Sequence, residues 1–289
     1  MDSALRKAGI PRRLFQGLKY AVYLALFGNI FFFLREELGS LEHTFSGTLA
    51  AAELVQVFAA TLDTTAWVVL LLLFELETWV LDDERITGWT KRTIHGVRLV
   101  CGMAILWAFF GYCAELITLY QTAWLADFRG CEAAAGAWSL LLRLDEYAPL
   151  GAANCSAVAE GAYRIAGFSV VADPETLKAT RYLAWTDVIN AAAWILVVIV
   201  LEVEVRLQLR GRLTDAVVDA TRYLKYLLYS TLFIAAVYWG FEGRFLDFWD
   251  ASLWLFAFVF IELNVFDWQR GSAGQLAGTG ERCERGQES

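Results

Sequence analysis

The chain has 289 residues, of which 58% are hydrophobic and 15% aromatic, with only three prolines and a formal net charge of −8. That composition is too apolar for an ordinary soluble domain. A pI near 4.9 gives no support for nucleic-acid binding.

In chain order, apolar segments lie near residues 17–36, 63–82, 97–118, 184–205, 223–242 and 250–268. Each is close to the roughly 20 helical residues that cross a hydrocarbon core of about 30 Å. None alternates apolar and polar positions as barrel strands do. The expected class is therefore an all-α integral membrane protein with six transmembrane helices. Residues 1–62 supply the first helix and its outer connection, and 63–120 the second and third helices. Residues 121–182 form an extracytoplasmic insertion, 183–268 hold helices four to six, and 269–289 read as a polar, disordered cytoplasmic tail. Within the insertion, Asp173-Pro174-Glu175 reads as a helix start, which makes the fourth helix about 36 residues long.

The basic residues set the orientation. Five precede or open the first span, four lie between spans two and three, five between spans four and five, and three in the tail. Together they are 17 of the 24 Lys and Arg. The positive-inside rule places both termini in the cytoplasm, and the expected location is a bacterial inner membrane. Cys131 and Cys155 share the long outer insertion, where a disulfide is expected in an oxidising space. No Cys-x-x-Cys pair suggests a thiolate metal site.

An internal repeat organises the rest. At a shift of 127 residues, Asp63 meets Asn190, Trp67 meets Trp194, Glu75 meets Glu202 and Glu77 meets Glu204. The spacing returns a third time as Asp250, Trp254, Glu262 and Asn264. The odd spans share a second pattern, in which Lys19, Arg98 and Lys225 each stand 17 residues before Glu36, Glu115 and Glu242. Three helical hairpins running in the same direction predict a pseudo-threefold arrangement along the membrane normal.

Glutamates inside spans are costly and mark function or pairing. Glu75, Glu202 and Glu262 are the candidate cation-binding ring, supported by Glu77, Glu204 and Asn264. Glu36, Glu115 and Glu242 are candidates for a second, outer acidic ring. Rings of acidic side chains select cations in pores. The competing reading pairs the inner glutamates with Lys19, Arg98 and Lys225, which locks the hairpins together. Trp67, Trp194 and Trp254 are expected in an aromatic belt near the outer interface.

No nucleophile–base set, metal-ligand set or phosphate loop stands out, so no enzyme activity and no cofactor are expected. The expected function is a cation channel or transporter that moves an inorganic cation or proton. The alternative is a non-transporting scaffold or accessory subunit. Expected partners are the lipid bilayer and a homo-oligomer or larger membrane complex.

Overall fold

The computed structural model describes residues 12–44, 54, 57–77, 88–126, 138–158, 160–210 and 214–258. Five long helices are α1 (Arg12–Thr44), α2 (Ala59–Glu75), α3 (Trp89–Tyr120), α4 (Pro174–Leu209) and α5 (Asp215–Phe241). A sixth, α6, covers 245–258. Four of them (α1, α3, α4 and α5) are long and apolar enough to cross a membrane. The segments expected as the second and sixth spans begin as the helices α2 and α6, which are not among those four, and their remaining residues lie outside the described ones.

Only about a third of each hydrophobic window is buried inside the molecule. Leu24, Phe31, Phe110, Phe233 and Ile234 all point outward with more than half their surface free. In water such a surface is an aggregation site, whereas against acyl chains it costs nothing.

The expectation of an all-α protein is corrected by a five-stranded sheet. Its strands are β1 (Thr122–Leu125), β2 (Ser139–Arg143), β3 (Glu146–Pro149), β4 (Ala162–Ile165) and β5 (Val170–Ala172). They lie in the order β1-β4-β5-β2-β3. All pairings are antiparallel except β2 with β5. The physical reason lies in the insertion itself. Its apolar residues come in runs such as "SLLLR" and "VVA", too short for a helix and bounded by polar or turn residues.

One part of the sheet subdomain buries Leu140, Leu150, Val158, Ala162 and Val171 in a core of its own. Another packs Leu141, Leu144, Ile165, Val170 and Ala172 onto α3, α4, α5 and α6 through Leu119, Leu177, Leu183, Trp239 and Ala251.

The start of α4 explains why the sheet sits there. Asp173 accepts hydrogen bonds from the Glu175 and Thr176 amides at 3.0 Å each, and Pro174 takes the first helical position. The helix then runs 36 residues, on the order of 54 Å, well beyond a hydrocarbon core. Its first turns need apolar partners outside that core, and the sheet supplies them.

Between the helices, a second core joins Leu26, Leu71, Val197, Val200, Leu232, Ala257 and Phe258 around Trp194 and Trp254. The bundle therefore has two distinct ends. The sheet end carries the insertion, and the basic end carries Lys19, Arg98 and Lys225. Cys101 and Cys113 are free thiols. Cys155 is not free, and its expected partner Cys131 lies outside the described residues.

Candidate functional site: an acidic chamber at the sheet end

The sheet end encloses a cavity of about 80 Å³. That is room for several waters or one partly hydrated ion. Four helices contribute acids to its lining: Glu36 and Glu37 from α1, Asp63 from α2, Glu115 from α3 and Asp187 from α4, whereas α5 contributes Trp239. Asp145 comes from the β2–β3 turn, and Asp247 and Asp250 come from α6. Among the described residues, Arg244 is the one basic residue of the lining, against eight carboxylates. Two carboxylates 4 Å apart repel by about 4 kcal/mol at an effective dielectric of 20, so each acid needs an explanation.

Most have one. Glu37 caps α2 from outside, because Phe58 at that helix start offers no side-chain cap. Glu37 Oε1 accepts from the Ala60 amide at 2.9 Å and the Thr61 amide at 3.1 Å, and Oε2 accepts from the Thr61 hydroxyl. An anion at a helix N-terminus is favoured there. Asp63 and Asp250 each accept a hydrogen bond from the tryptophan four residues on, Trp67 and Trp254. That contact accounts for two of the three copies of the [D/N]-x3-W spacing, since residues four apart share a helix face; in the third, Asn190 Oδ1 has no partner. Asp250 also accepts from Asn29 Nδ2 at 2.7 Å, which ties α6 to α1. Asp187 accepts from Trp239 Nε1 at 3.1 Å.

The remaining acids gather on Arg244, whose side chain is 8% exposed. Its guanidinium meets Glu36 at 2.8 Å, Asp247 at 2.6 Å and Asp145 at 3.7 Å, and donates to the Leu144 carbonyl at 2.7 Å. Two backbone features aim these groups. Gly243 has φ of 77°, which turns the chain immediately before Arg244, and Asp145 has φ of 62° at the tip of the hairpin. Asp is among the few residues that tolerate that region.

Burial raises the Asp145 carboxyl above its ordinary range; Arg244 opposes the shift, and Asp247 and Glu146 add to it. For Arg244, burial disfavours the charge, but Asp247, Asp145 and Glu36 outweigh it, so the guanidinium stays protonated. Glu115 is left with neither a hydrogen bond nor an ion pair among the described residues. The Asn190 Oδ1 is likewise buried without a partner.

The tryptophans floor the chamber. Trp67 contacts Trp194 at 6.5 Å and Trp254 at 6.3 Å between ring centroids, and Trp194 meets Phe258 at 4.6 Å. Trp194 and Trp254 are 8% and 6% exposed, which corrects the expected lipid-facing belt. Trp254 is held inward by its bond to Asp250, and both indoles pack into the core of the bundle. Below them the apolar core fills the bundle.

The predicted inner glutamates lie beyond that core, at the basic end. Glu75 is bound by Lys19 Nζ at 2.6 Å and by the Tyr23 hydroxyl at 2.9 Å. Glu77 pairs with Arg98, and Glu204 with Lys225 at 2.9 Å. These last two pairs correspond in the 127-residue register. Glu202 is 57% exposed and bonds Arg206 one turn on, at 2.6 Å. Glu75 and Glu202 thus sit in different surroundings rather than around one point. Glu262 and Asn264 lie outside the described residues. Of the predicted outer ring, Glu36 and Glu115 both line the chamber, and Glu242 does not.

Sequence reasoning missed Glu37, Asp145, Asp187, Arg244 and Asp247. A signal for two of them was present. Asp187-Asn190-Trp194 and Asp247-Asp250-Trp254 share the spacing D-x2-[D/N]-x3-W, which places all three side chains on one helical face. Among the described residues, no three His, Cys, Asp or Glu side chains are grouped closely enough to hold a metal ion. No protein-family model, curated protein or solved structure matches the chain.

Proposed function

We propose that the protein binds and moves cations across a membrane, and that the acidic chamber is where the cation is first held. The observation that carries this reading is a partly open chamber lined, among the described residues, by eight carboxylates and one guanidinium. Such a lining repels anions and lowers the energy of any cation that enters. Because the acids are spread around the walls rather than converged, they suit a partly hydrated monovalent ion or protons better than a stripped metal ion.

The Trp67–Trp194–Trp254 floor and the apolar core beneath it act as the gate. On the far side lie Glu75, Glu77 and Glu204, each paired with a base, and the exposed Glu202. The expected setting is a bacterial inner membrane, as a monomer with its own three hairpins or as part of a larger complex.

The test is ion flux into liposomes carrying the purified full-length chain. Asp63→Asn, Glu115→Gln and Asp250→Asn combined should reduce cation flux at least tenfold. Flux unchanged by that triple substitution sinks the proposal. The second reading, a non-transporting scaffold, is favoured by the pairing of Glu75, Glu77 and Glu204 with bases. It predicts no flux from the wild-type protein.

A further inference from the structure

Beside the chamber lies a larger groove of about 740 Å³, bounded by α1, the β2–β3 hairpin and α6. Pockets of 300–1,000 Å³ are the usual size for organic ligands. Its apolar wall is aromatic. Phe32, Phe245 and Trp249 line it with 58%, 70% and 42% of their surfaces open. The Phe245 and Trp249 rings lie 12° from parallel with centroids 6.4 Å apart.

Its charged rim is unbalanced. Glu36, Asp145 and Glu146 stand against Arg35 on the rim, with Arg244 behind it shared by Glu36 and Asp145. Glu36 and Asp145 line both the groove and the chamber, so the two spaces meet at the Arg244 hub. Among the described residues, Glu146 carries no ion pair.

We propose that this groove binds an amphipathic organic cation, with its apolar body on Phe32, Phe245 and Trp249 and its charge at Glu146 and Asp145. An acyl chain would satisfy the aromatic wall and leave the acidic rim unexplained. An inorganic ion would satisfy the rim and leave the wall open. A flat or bulky cation uses both, through carboxylate attraction and through the negative faces of the rings. The inference rests on the membrane placement of the chain and not on conduction through the chamber.

The test is equilibrium binding of tetraphenylphosphonium to the full-length protein in nanodiscs of zwitterionic lipid. Tetraphenylborate, of the same shape and opposite charge, is the control. The expected result is saturable phosphonium binding that the borate does not displace. Glu146→Gln and Trp249→Ala should each weaken it about tenfold, and Arg35→Gln should strengthen it several-fold. Both changed acid and ring sites are exposed, so folding is not at issue.

Equal binding of the two probes would reveal simple partitioning and overturn the proposal. Tighter borate binding would mark an Arg35-centred anion site and overturn it equally, as would wild-type affinity in both weakened variants. Inorganic flux is measured with the same purified protein and variants in liposomes. A phosphonium site without flux sinks conduction alone, and flux without the site sinks this inference alone.

Discussion

At the basic end of the bundle, Glu75, Glu77, Glu202 and Glu204 each have a Lys or Arg within ion-pair distance. At the sheet end, Arg244 serves three carboxylates, while four others rely on neutral donors and Glu115 has neither. The same residue type therefore plays opposite parts at the two ends. A carboxylate matched one-to-one by a base is a fastener, neutral overall and indifferent to passing ions. A carboxylate held only by an indole or an amide has no base beside it, and burial then favours either a bound proton or a counterion. The ratio of bases to acids, rather than the presence of acids, separates the two ends.

The largest effect should come from removing the one base of the chamber. Arg244→Gln leaves Glu36, Asp145 and Asp247 uncompensated, a change of about 3–5 kcal/mol for a buried pair broken on one side. Thermal unfolding followed by tryptophan fluorescence should show the largest drop of any single substitution, partly recovered by acidification. The sign follows from linkage. A carboxyl whose folded value is raised binds a proton that the unfolded chain has released, so stability falls as pH rises from the ordinary carboxylate range through that raised value. Asp145 behaves this way. With 31% of its side chain still open to solvent, its share is modest. Asp145→Asn should therefore flatten the wild-type decline without abolishing it.

Next in size is Glu75→Gln, which strands Lys19 at 4% exposure. A loss approaching the same range is expected, and Lys19→Met with Glu75→Leu should recover most of it, because a buried ion pair replaced whole costs little. If the double substitution is as damaging as the single one, Glu75 has a role beyond fastening, and the contrast between the two ends weakens. The smallest effect should come from Glu202→Gln. Its partner Arg206 is 67% exposed, and surface pairs contribute within about 1 kcal/mol. A strong loss of cation flux in that variant, with stability unchanged, would restore the inner glutamates as ligands.

Much of this fold was legible in particular residues. Asp173-Pro174 fixed where α4 begins, since a capping carboxylate followed by a residue lacking an amide proton leaves little alternative. The 17-residue offset from Lys19 to Glu36 and from Arg98 to Glu115 separates the members of each pair along one helix; the acids line the chamber and the bases pair with Glu75 and Glu77. The Asp63, Asn190 and Asp250 set, and the tryptophans four residues on, were visible as a repeat. Their inward direction was not, because a three-fold recurrence gives spacing along helices and not rotation about them.

The insertion concealed most. Nothing local to "RLDEY" announces that Asp145 will meet a guanidinium about a hundred positions later. Nor does any local pattern set Arg244 apart from the other bases of the chain.

Sequence alone decided what depends on neighbours along the chain: membrane-length apolar helices, their starts, the repeat and the sidedness of charge. Periodicity and hydropathy act over one or two turns, so local order suffices to read them. Only the tertiary structure decided which acids share a space and which find a base. Those outcomes depend on how six helices and a sheet bring distant residues within a few ångströms. At that range Coulomb energy, falling with distance and rising as water is excluded, turns one glutamate into a fastener and another into a candidate site.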